Sequence, residues 1–366
     1  MQTVAVGMSG GLDSSVAAHL LKNKTELDIF GFTMRLGEYE AEHERTCCNM
    51  ENLYRARKLC DRLGINHYTI DMQQEFGKEV IQPFLAAYQS GRTPNPCSIC
   101  NREIKMDRLL RKVRKLGADR VVTGHYVRRI GRSMPRLDRG VDERKDQSYY
   151  LSLVKKENLN RFWFPLGFWR KEEVLEYARR WDLEAVESTE SQSLCFAPDR
   201  DYRRYILENS SYQPATGDIV NIEGEKIGEH PGHINFTIGQ RRGLGISHSQ
   251  PLYVLEINGR DNELVVGERD KLGRSRLYVD KINWLADKKD DCQVQLRYNS
   301  PAVACRIARE KQSWRIELHR PVEAVAPGQV AAFYSDRQLL GGGIITSAPP
   351  DYKTESNPRA EIKPRK

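Results

Sequence analysis

The side chains in this sequence best suited to chemistry are three cysteines and the polar groups of one glycine-rich turn. Cys97 and Cys100 form a C-x-x-C within Thr93-Pro94-Asn95-Pro96-Cys97-Ser98-Ile99-Cys100-Asn101-Arg102-Glu103-Ile104-Lys105. Thiols just ahead of a helix, with Arg102 and Lys105 close behind, should ionise more readily than free cysteine and supply thiolate at neutral pH. Cys195, in Ser191-Gln192-Ser193-Leu194-Cys195-Phe196, reads by itself as a small buried hydrophobe. Cys47 and Cys48 could complete a zinc site with the C-x-x-C, but vicinal cysteines seldom give two good ligands to a tetrahedral metal. The turn is Gly7-Met8-Ser9-Gly10-Gly11-Leu12-Asp13-Ser14-Ser15. Its glycines let the backbone bend sharply, and the amides and hydroxyls of Ser9, Ser14 and Ser15 gather at a helix start, where the dipole favours an anion. It is a phosphate cradle of a kind other than the Walker loop: the Gly-Lys-Ser/Thr ending is missing, and no lysine is available to reach a terminal phosphate.

Strands and helices must hold these groups. The turn follows Thr3-Val4-Ala5-Val6 and precedes Val16-Ala17-Ala18-His19-Leu20-Leu21, which reads as strand, tight loop, helix. Further strands are expected at 28–34, 67–70 and 120–123, with helices around 53–63, 75–88, 102–116 and 171–181. This alternation predicts an α/β fold: a doubly wound parallel sheet covered on both faces, with ligands at the carboxyl ends of its strands, where Gly7, Met34 and Gly124 lie. Between Arg128 and Lys145 the apolar periodicity fails and charge rises, so a surface loop is expected. Ser188 to Asp199 reads as a polar loop around Cys195. From about Gly217 the pattern becomes short alternating runs broken by glycine, as in Leu252-Tyr253-Val254-Leu255-Glu256-Ile257 and Trp314-Arg315-Ile316-Glu317-Leu318, which predicts β structure. The expected division is a nucleotide-binding domain over 1–200, a small β-rich domain over 201–276, a β-barrel over 277–349, and a polar, disordered tail over 350–366.

A chain of 366 residues has room for two or three domains. Lys plus Arg is 58 against 50 for Asp plus Glu, a net charge of +8 that suits an anionic partner such as nucleic acid. No apolar run approaches the roughly 18 residues of a membrane span, and no secretory layout opens the chain, so a cytoplasmic protein without membrane contact is expected. Eight cysteines in that setting read as reactive or metal-binding thiols rather than as a disulfide framework.

The glycine-rich turn resembles the S-G-G-x-D-S pyrophosphate loop of the ATP pyrophosphatases, which cleave ATP between its α and β phosphates. Further blocks follow in order: N-P-x-x-x-C-N-x-x-I-K from Asn95, T-G-H-Y at 123–126, K-D-Q-S-Y at 145–149, the cysteine before Phe196, T-I-G-Q-R-R-G-L-G-I at 237–246 and P-G-Q at 327–329. With them the chain resembles the bacterial tRNA-specific 2-thiouridylases up to about Pro349. The resemblance implies a three-domain enzyme that replaces the C2 oxygen of uridine at wobble position 34 of tRNAs of the Lys, Glu and Gln type with sulfur. ATP adenylates that oxygen so that it leaves as AMP. Gly7, Met8, Ser9, Gly10, Gly11, Leu12, Asp13, Ser14, Met34 and Gly124 would hold ATP, with Asp13 orienting Mg²⁺. Asn95, Pro96 and Cys97 would face the target base. His125, Lys145, Asp146, Gln147, Arg297, Tyr298 and Gln329 would contact tRNA, although without the resemblance Arg297 and Tyr298 read as an ordinary strand edge. A sulfur-relay protein or a cysteine desulfurase would supply the sulfur, and a monomer is expected.

Many such enzymes carry aspartate where this chain has Cys97, so their usual pair, Cys100 and Cys195, becomes a triad. Two chemistries stay open. In one, Cys195 carries sulfur as a persulfide and Cys100 or Cys97 releases the product by forming a disulfide with it. In the other, Cys97, Cys100 and Cys195 hold three irons of a [4Fe-4S] cluster whose fourth iron bears the sulfide. An amidotransferase-type ATP pyrophosphatase would keep the loop but have no reason for the cysteines; a non-catalytic RNA-binding protein could lose both.

Overall fold

The computed structural model describes residues 2–24, 26–37, 50–183, 194–197 and 201–353. Strand β1 (Thr3–Gly7) is the middle of a five-stranded parallel sheet with β2 (Asp28–Arg35), β3 (Asn66–Asp71) and β4 (Arg120–Val122). Its alternating residues explain why the sheet is covered on both sides. Val4 and Val6 pack into one apolar cluster with Val16, Ala17, Leu20 and Val174. Ala5 packs into another with Phe30, Phe32, Cys100 and Ile104. Helices α1 (Leu12–Lys24) and α2 (Met50–Leu63) contribute to the first cluster, while the continuous helices α3 (73–89) and α4 (96–115) contribute to the second.

Two helix starts differ from expectation. Asp13, Ser14 and Ser15 lie inside the first turns of α1, which begins within the glycine-rich segment. Helix α4 begins at Pro96 rather than near Arg102, because Asn95 Oδ1 accepts the Ser98 N–H at 3.0 Å and Pro96 occupies the first helical position. Cys97 and Cys100 therefore sit on the helix. From Cys100 to Arg108 α4 widens into a π-helix, the Leu109 N–H reaching back five residues to the Ile104 carbonyl, a form that tends to occur at functional sites.

The charged stretch after Gly124 corrects the expected surface loop. It forms a hairpin, β5 (Val127–Ile130) and β6 (Arg136–Arg139), that leaves the parallel sheet altogether. The chain then returns through β7 (Phe162–Trp163) to the sheet edge beside β4, and helix α5 (Lys171–Arg180) packs back on α1. After α6 (Tyr202–Asn209) come β8 (Gly217–Val220), β9 (Lys226–His230), β10 (Tyr253–Asn258) and β11 (Glu263–Gly267), a four-stranded sheet around Ile219, Val254, Leu264 and Val266.

The remaining strands are β12 (Gly273–Trp284), β13 (Asp291–Gln295), β14 (Val303–Glu310), β15 (Ser313–Glu323), β16 (Val330–Ser335) and β17 (Gln338–Ser347). Pairing of β12 with both β15 and β17 closes them into a barrel. The β5–β6 hairpin then adds to β17, Leu137 facing Leu339, so one sheet of eight strands joins the N-terminal and C-terminal parts. Arg139 fastens the join: its guanidinium donates to Asp146 and Gln295, each at 2.9 Å, and lies 3.6 Å over the Tyr334 ring. Asp351–Lys353, at the head of the stretch expected to be disordered, form a short turn held by Asp351, which accepts from Ser275 N and Oγ. The rest of that stretch, Cys47 and Cys48, and most of 188–199 lie outside the described residues.

Candidate active site

The order of the parallel sheet reverses between β1 and β4, and ligands bind such sheets in the crevice beyond that switch point. The glycine-rich turn occupies it. Its hydroxyls are spent on the turn itself: Ser9 N–H donates to Ser14 Oγ at 3.1 Å, while Ser14 Oγ and Ser15 Oγ donate to the Gly11 carbonyl at 2.9 and 3.0 Å. Ser14 and Ser15 are buried, so they stiffen the cradle, and the α1 dipole and loop amides are left to attract an anion. Gly10 has φ +75°, and a Cβ there would lie 2.4 Å from the Asn52 carbonyl oxygen, so α2 presses the turn into shape. Gly124 lets β4 close on the start of α1, where a Cβ would sit 3.1–3.2 Å from Asp13 and Ser14. Met8 is buried, Met34 half-buried, and Gly7, Gly11 and Leu12 partly accessible.

Two groups at this mouth escaped the sequence reading. Tyr126 Oη donates to Asp13 Oδ1 at 2.7 Å, and Lys171 Nζ meets the same oxygen at 2.6 Å. Tyr126 closes the T-G-H-Y block, which could have flagged it. Lys171 left a subtler sign, a cation at the first position of α5, where the helix dipole disfavours it.

The thiols divide. Cys100 is buried in the cluster that also contains Phe76 and Ile104, and Cys195 packs against that same cluster. The neighbour of Cys195 holds it there: the Phe196 ring packs against Phe76, Phe84 and Tyr205 at centroid separations of 5.9, 5.1 and 5.1 Å. The Tyr205 phenol is pushed up by burial and by its neighbour Cys195. Cys97 is exposed, beside Tyr150, whose phenol is pushed up by burial and by that thiol. Among the described residues no three His, Cys, Asp or Glu side chains gather as a metal ion would require. Cys97 lies three residues before Cys100 on α4, about one helical turn away.

Of the residues assigned to tRNA, several turn inward. Asp146 is buried and accepts from Arg139, Gly140 N–H and Ser148. Gln147 Oε1 accepts the Tyr126 N–H at 3.1 Å. Arg297 directs Nη2 to the carbonyls of Ala324 and Ile238, joining the barrel to the segment before β10. Gln329 Nε2 donates to the Thr93 carbonyl at 3.2 Å and lies 3.4 Å from that of Pro94, bracing the approach to α4. Tyr298 stacks on Tyr150 at 4.4 Å. The barrel therefore buttresses the approach to α4, with Asn95 at its cap and Pro96 and Cys97 in its first turn. Asn95 caps α4, Pro96 is buried, and Lys145 is partly exposed.

His125 bonds through Nδ1 to Thr123 Oγ1 at 2.7 Å and packs edge-on against Phe164. Its pKa is pushed down to about 3, by burial first and by the Lys105 charge second. The unfolded chain takes up a proton near the ordinary value of about 6.5, so stability is whole above that pH and declines as pH falls towards 3. His125→Asn should flatten this decline in urea melts across about pH 4 to 7. His19, His67 and His230 are lowered in the same direction and keep their share in both proteins, so identical slopes would remove His125 from the account.

Residues 2–199 match a family model described as the tRNA methyl transferase HUP domain, 206–268 one described as the tRNA methyl transferase PRC-barrel domain, and 274–345 one described as the aminomethyltransferase beta-barrel domain. The chain is 38% identical over 357 residues to the tRNA-specific 2-thiouridylase MnmA of Geobacter metallireducens, covering 94% of this chain and 97% of that one. It is 42% identical over 354 residues to the tRNA-specific 2-thiouridylase MnmA of Chloroflexus aurantiacus, covering 94% and 98%. Against the protein of that name from Rhodospirillum rubrum it is 41% identical over 360 residues, covering 93% and 95%. No helix among the described residues is long and apolar enough to cross a membrane.

Proposed function

The chain belongs to the tRNA-specific 2-thiouridylases, and from that premise we propose how its own residues carry out the ATP-dependent thiolation of tRNA uridine. The observation that carries the proposal is the placing of Cys195 by Phe196 against the cluster that contains Cys100. A uracil carbonyl is a poor electrophile, so its O2 attacks the α phosphate of ATP held by Gly7 to Ser14, Met34 and Gly124, releasing pyrophosphate. Mg²⁺, when bound, offsets phosphate charge, and Asp13 is the loop carboxylate suited to hold it. Cys195, charged as a persulfide, then attacks C2 through its outer sulfur, and AMP departs with the old oxygen. The Cys100 thiolate attacks the inner sulfur of Cys195, which frees 2-thiouridine and leaves a Cys100–Cys195 disulfide for a cellular thiol to reduce.

The sulfur comes from a small relay protein or a cysteine desulfurase, and the enzyme works as a cytoplasmic monomer, where thiols stay reduced. Its substrates are wobble-uridine tRNAs of the Lys, Glu and Gln type. Nucleotide chemistry belongs to residues 1–200, with 201–276 and 277–349 as the two β-rich units that hold tRNA against it. Asn95 to Cys97 face the target base from the start of α4, whose approach Gln329 braces. Lys145 contacts the backbone phosphates, while Asp146, Gln147, Arg297 and Tyr298 act on tRNA through the loops they brace. Membership of this family leaves no place for an amidotransferase-type synthetase or a non-catalytic RNA-binding protein. Incubation with wobble-uridine tRNA, ATP and a persulfide donor should give AMP and pyrophosphate in equal amounts, with 2-thiouridine seen by nucleoside mass spectrometry. ADP and phosphate as the main products would overturn the adenylation step.

A further inference from the structure

We propose that Lys171 is the phosphate-positioning cation of the pyrophosphate loop, supplied from α5, 158 residues away in sequence from Asp13. The inference rests on the ATP reading above and deepens it. A loop of the S-G-G-x-D-S type offers amides and a helix dipole but no cation of its own, and Asp13 places a negative charge at the mouth a triphosphate must enter. Lys171 Nζ, 2.6 Å from Asp13 Oδ1, offsets that charge, and the Tyr126 hydroxyl donates to the same oxygen. Both ionic side chains are partly exposed, Lys171 by 20% and Asp13 by 34%, so the pair lies at the entrance and a ligand can reach it.

The backbone holds the base of this lysine while its tip stays adjustable. The Lys171 N–H donates to buried Asp142 at 3.0 Å, and α5 is seated on α1 through Val174 and Ala178. Asp142, with Glu172 and Glu173 in the first turn, offsets the unfavourable dipole at this end of α5. The four-carbon stem then carries the ammonium between two anions without moving the helix. With ATP absent it neutralises Asp13. When ATP enters and Asp13 turns to the metal, the ammonium passes to the β and γ phosphates, which become the departing pyrophosphate, and stabilises the charge that develops there.

The test is equilibrium binding of ATP, pyrophosphate and AMP, with and without Mg²⁺, to the full-length wild type, Lys171→Met and Lys171→Arg. Lys171→Met should weaken ATP and pyrophosphate by roughly 10- to 100-fold, as loss of one charge-assisted contact does. AMP, which lacks the β and γ phosphates, should bind as before, and Lys171→Arg should recover most of the loss. ATP held as tightly by Lys171→Met as by the wild type overturns the proposal. So does an equal loss for ATP and AMP, which would mean that the lysine only shapes the loop. AMP and pyrophosphate formation by the wild type keeps the ATP reading intact in either case, whereas a wild type that binds no ATP overturns both.

Discussion

Replacing Cys195 by serine should abolish 2-thiouridine formation, with a loss of at least about a thousandfold, because a hydroxyl cannot carry the transferable sulfur. The other two cysteines should separate from it. Cys100→Ser should stall after sulfur has joined the uridine, leaving tRNA linked to Cys195 and visible as a shifted band that a thiol reductant releases. Cys97→Ser should keep activity within a few-fold, since carrying the sulfur and releasing the product need only Cys195 and Cys100. Nucleoside mass spectrometry and gel analysis of the reacted tRNA measure all three. Loss of thiolation in Cys97→Ser as complete as in Cys195→Ser would sink the two-thiol mechanism and restore a role for the triad.

Gly10→Ala should cost the protein its ATP binding, by tenfold or more on the scale of about 1.4 kcal/mol per decade. Two penalties combine at this position. A non-glycine residue at φ +75° is strained by roughly 1–3 kcal/mol, and its Cβ would lie 2.4–2.8 Å from the Asn52 backbone. Backbone at both sides of the contact must shift, and the shift falls on the turn whose amides face the phosphates. Gly64→Ala is the control, because Gly64 also has positive φ, at +63°, but meets nothing within 4 Å. It should lower the melting temperature and leave ATP affinity alone. Equal ATP affinity in Gly10→Ala and the wild type, by titration calorimetry, would show that α2 does not shape the cradle.

The parts legible in the sequence were those whose determinants lie within a few residues of one another. Val4 to Leu21 carries its strand, turn and helix signals in one short window, so the cradle could be placed before any coordinates. The start of α4 is equally local: Asn95 followed by Pro96 is a helix-start signal, although the periodic run after Arg102 is the longer pattern. The hairpin at 127–139 was a different matter. Arg128, Arg129, Arg136 and Arg139 mask its alternation, and its partner β17 lies far along the chain. Residue type also said little about direction. Arg297 and Asp146 are assigned to tRNA by the family resemblance alone; in the fold one bonds neighbouring carbonyls and the other is buried under Arg139. Lys171 could be paired with Asp13 only once α5 was seen to fold back on α1.

The seam between β6 and β17 has a consequence for the order in which a newly made chain matures on the ribosome. Roughly 200 residues separate the two strands, and at about 5–20 residues per second the hairpin emerges roughly 10–40 s before its partner. During that interval Leu137, fully buried in the finished protein, lies beside an unpaired strand edge of the kind that invites association between nascent chains. The four arginines that hid the hairpin from a reading of the sequence keep that edge soluble while it waits. Asp146 and Gln147 find partners at once in Arg139 and Tyr126, whereas the loop at Thr93 waits for Gln329, beyond β15, before it is braced. An amino-terminal fragment released early would hold the nucleotide cradle but lack the brace that Gln329 gives the approach to its thiol helix.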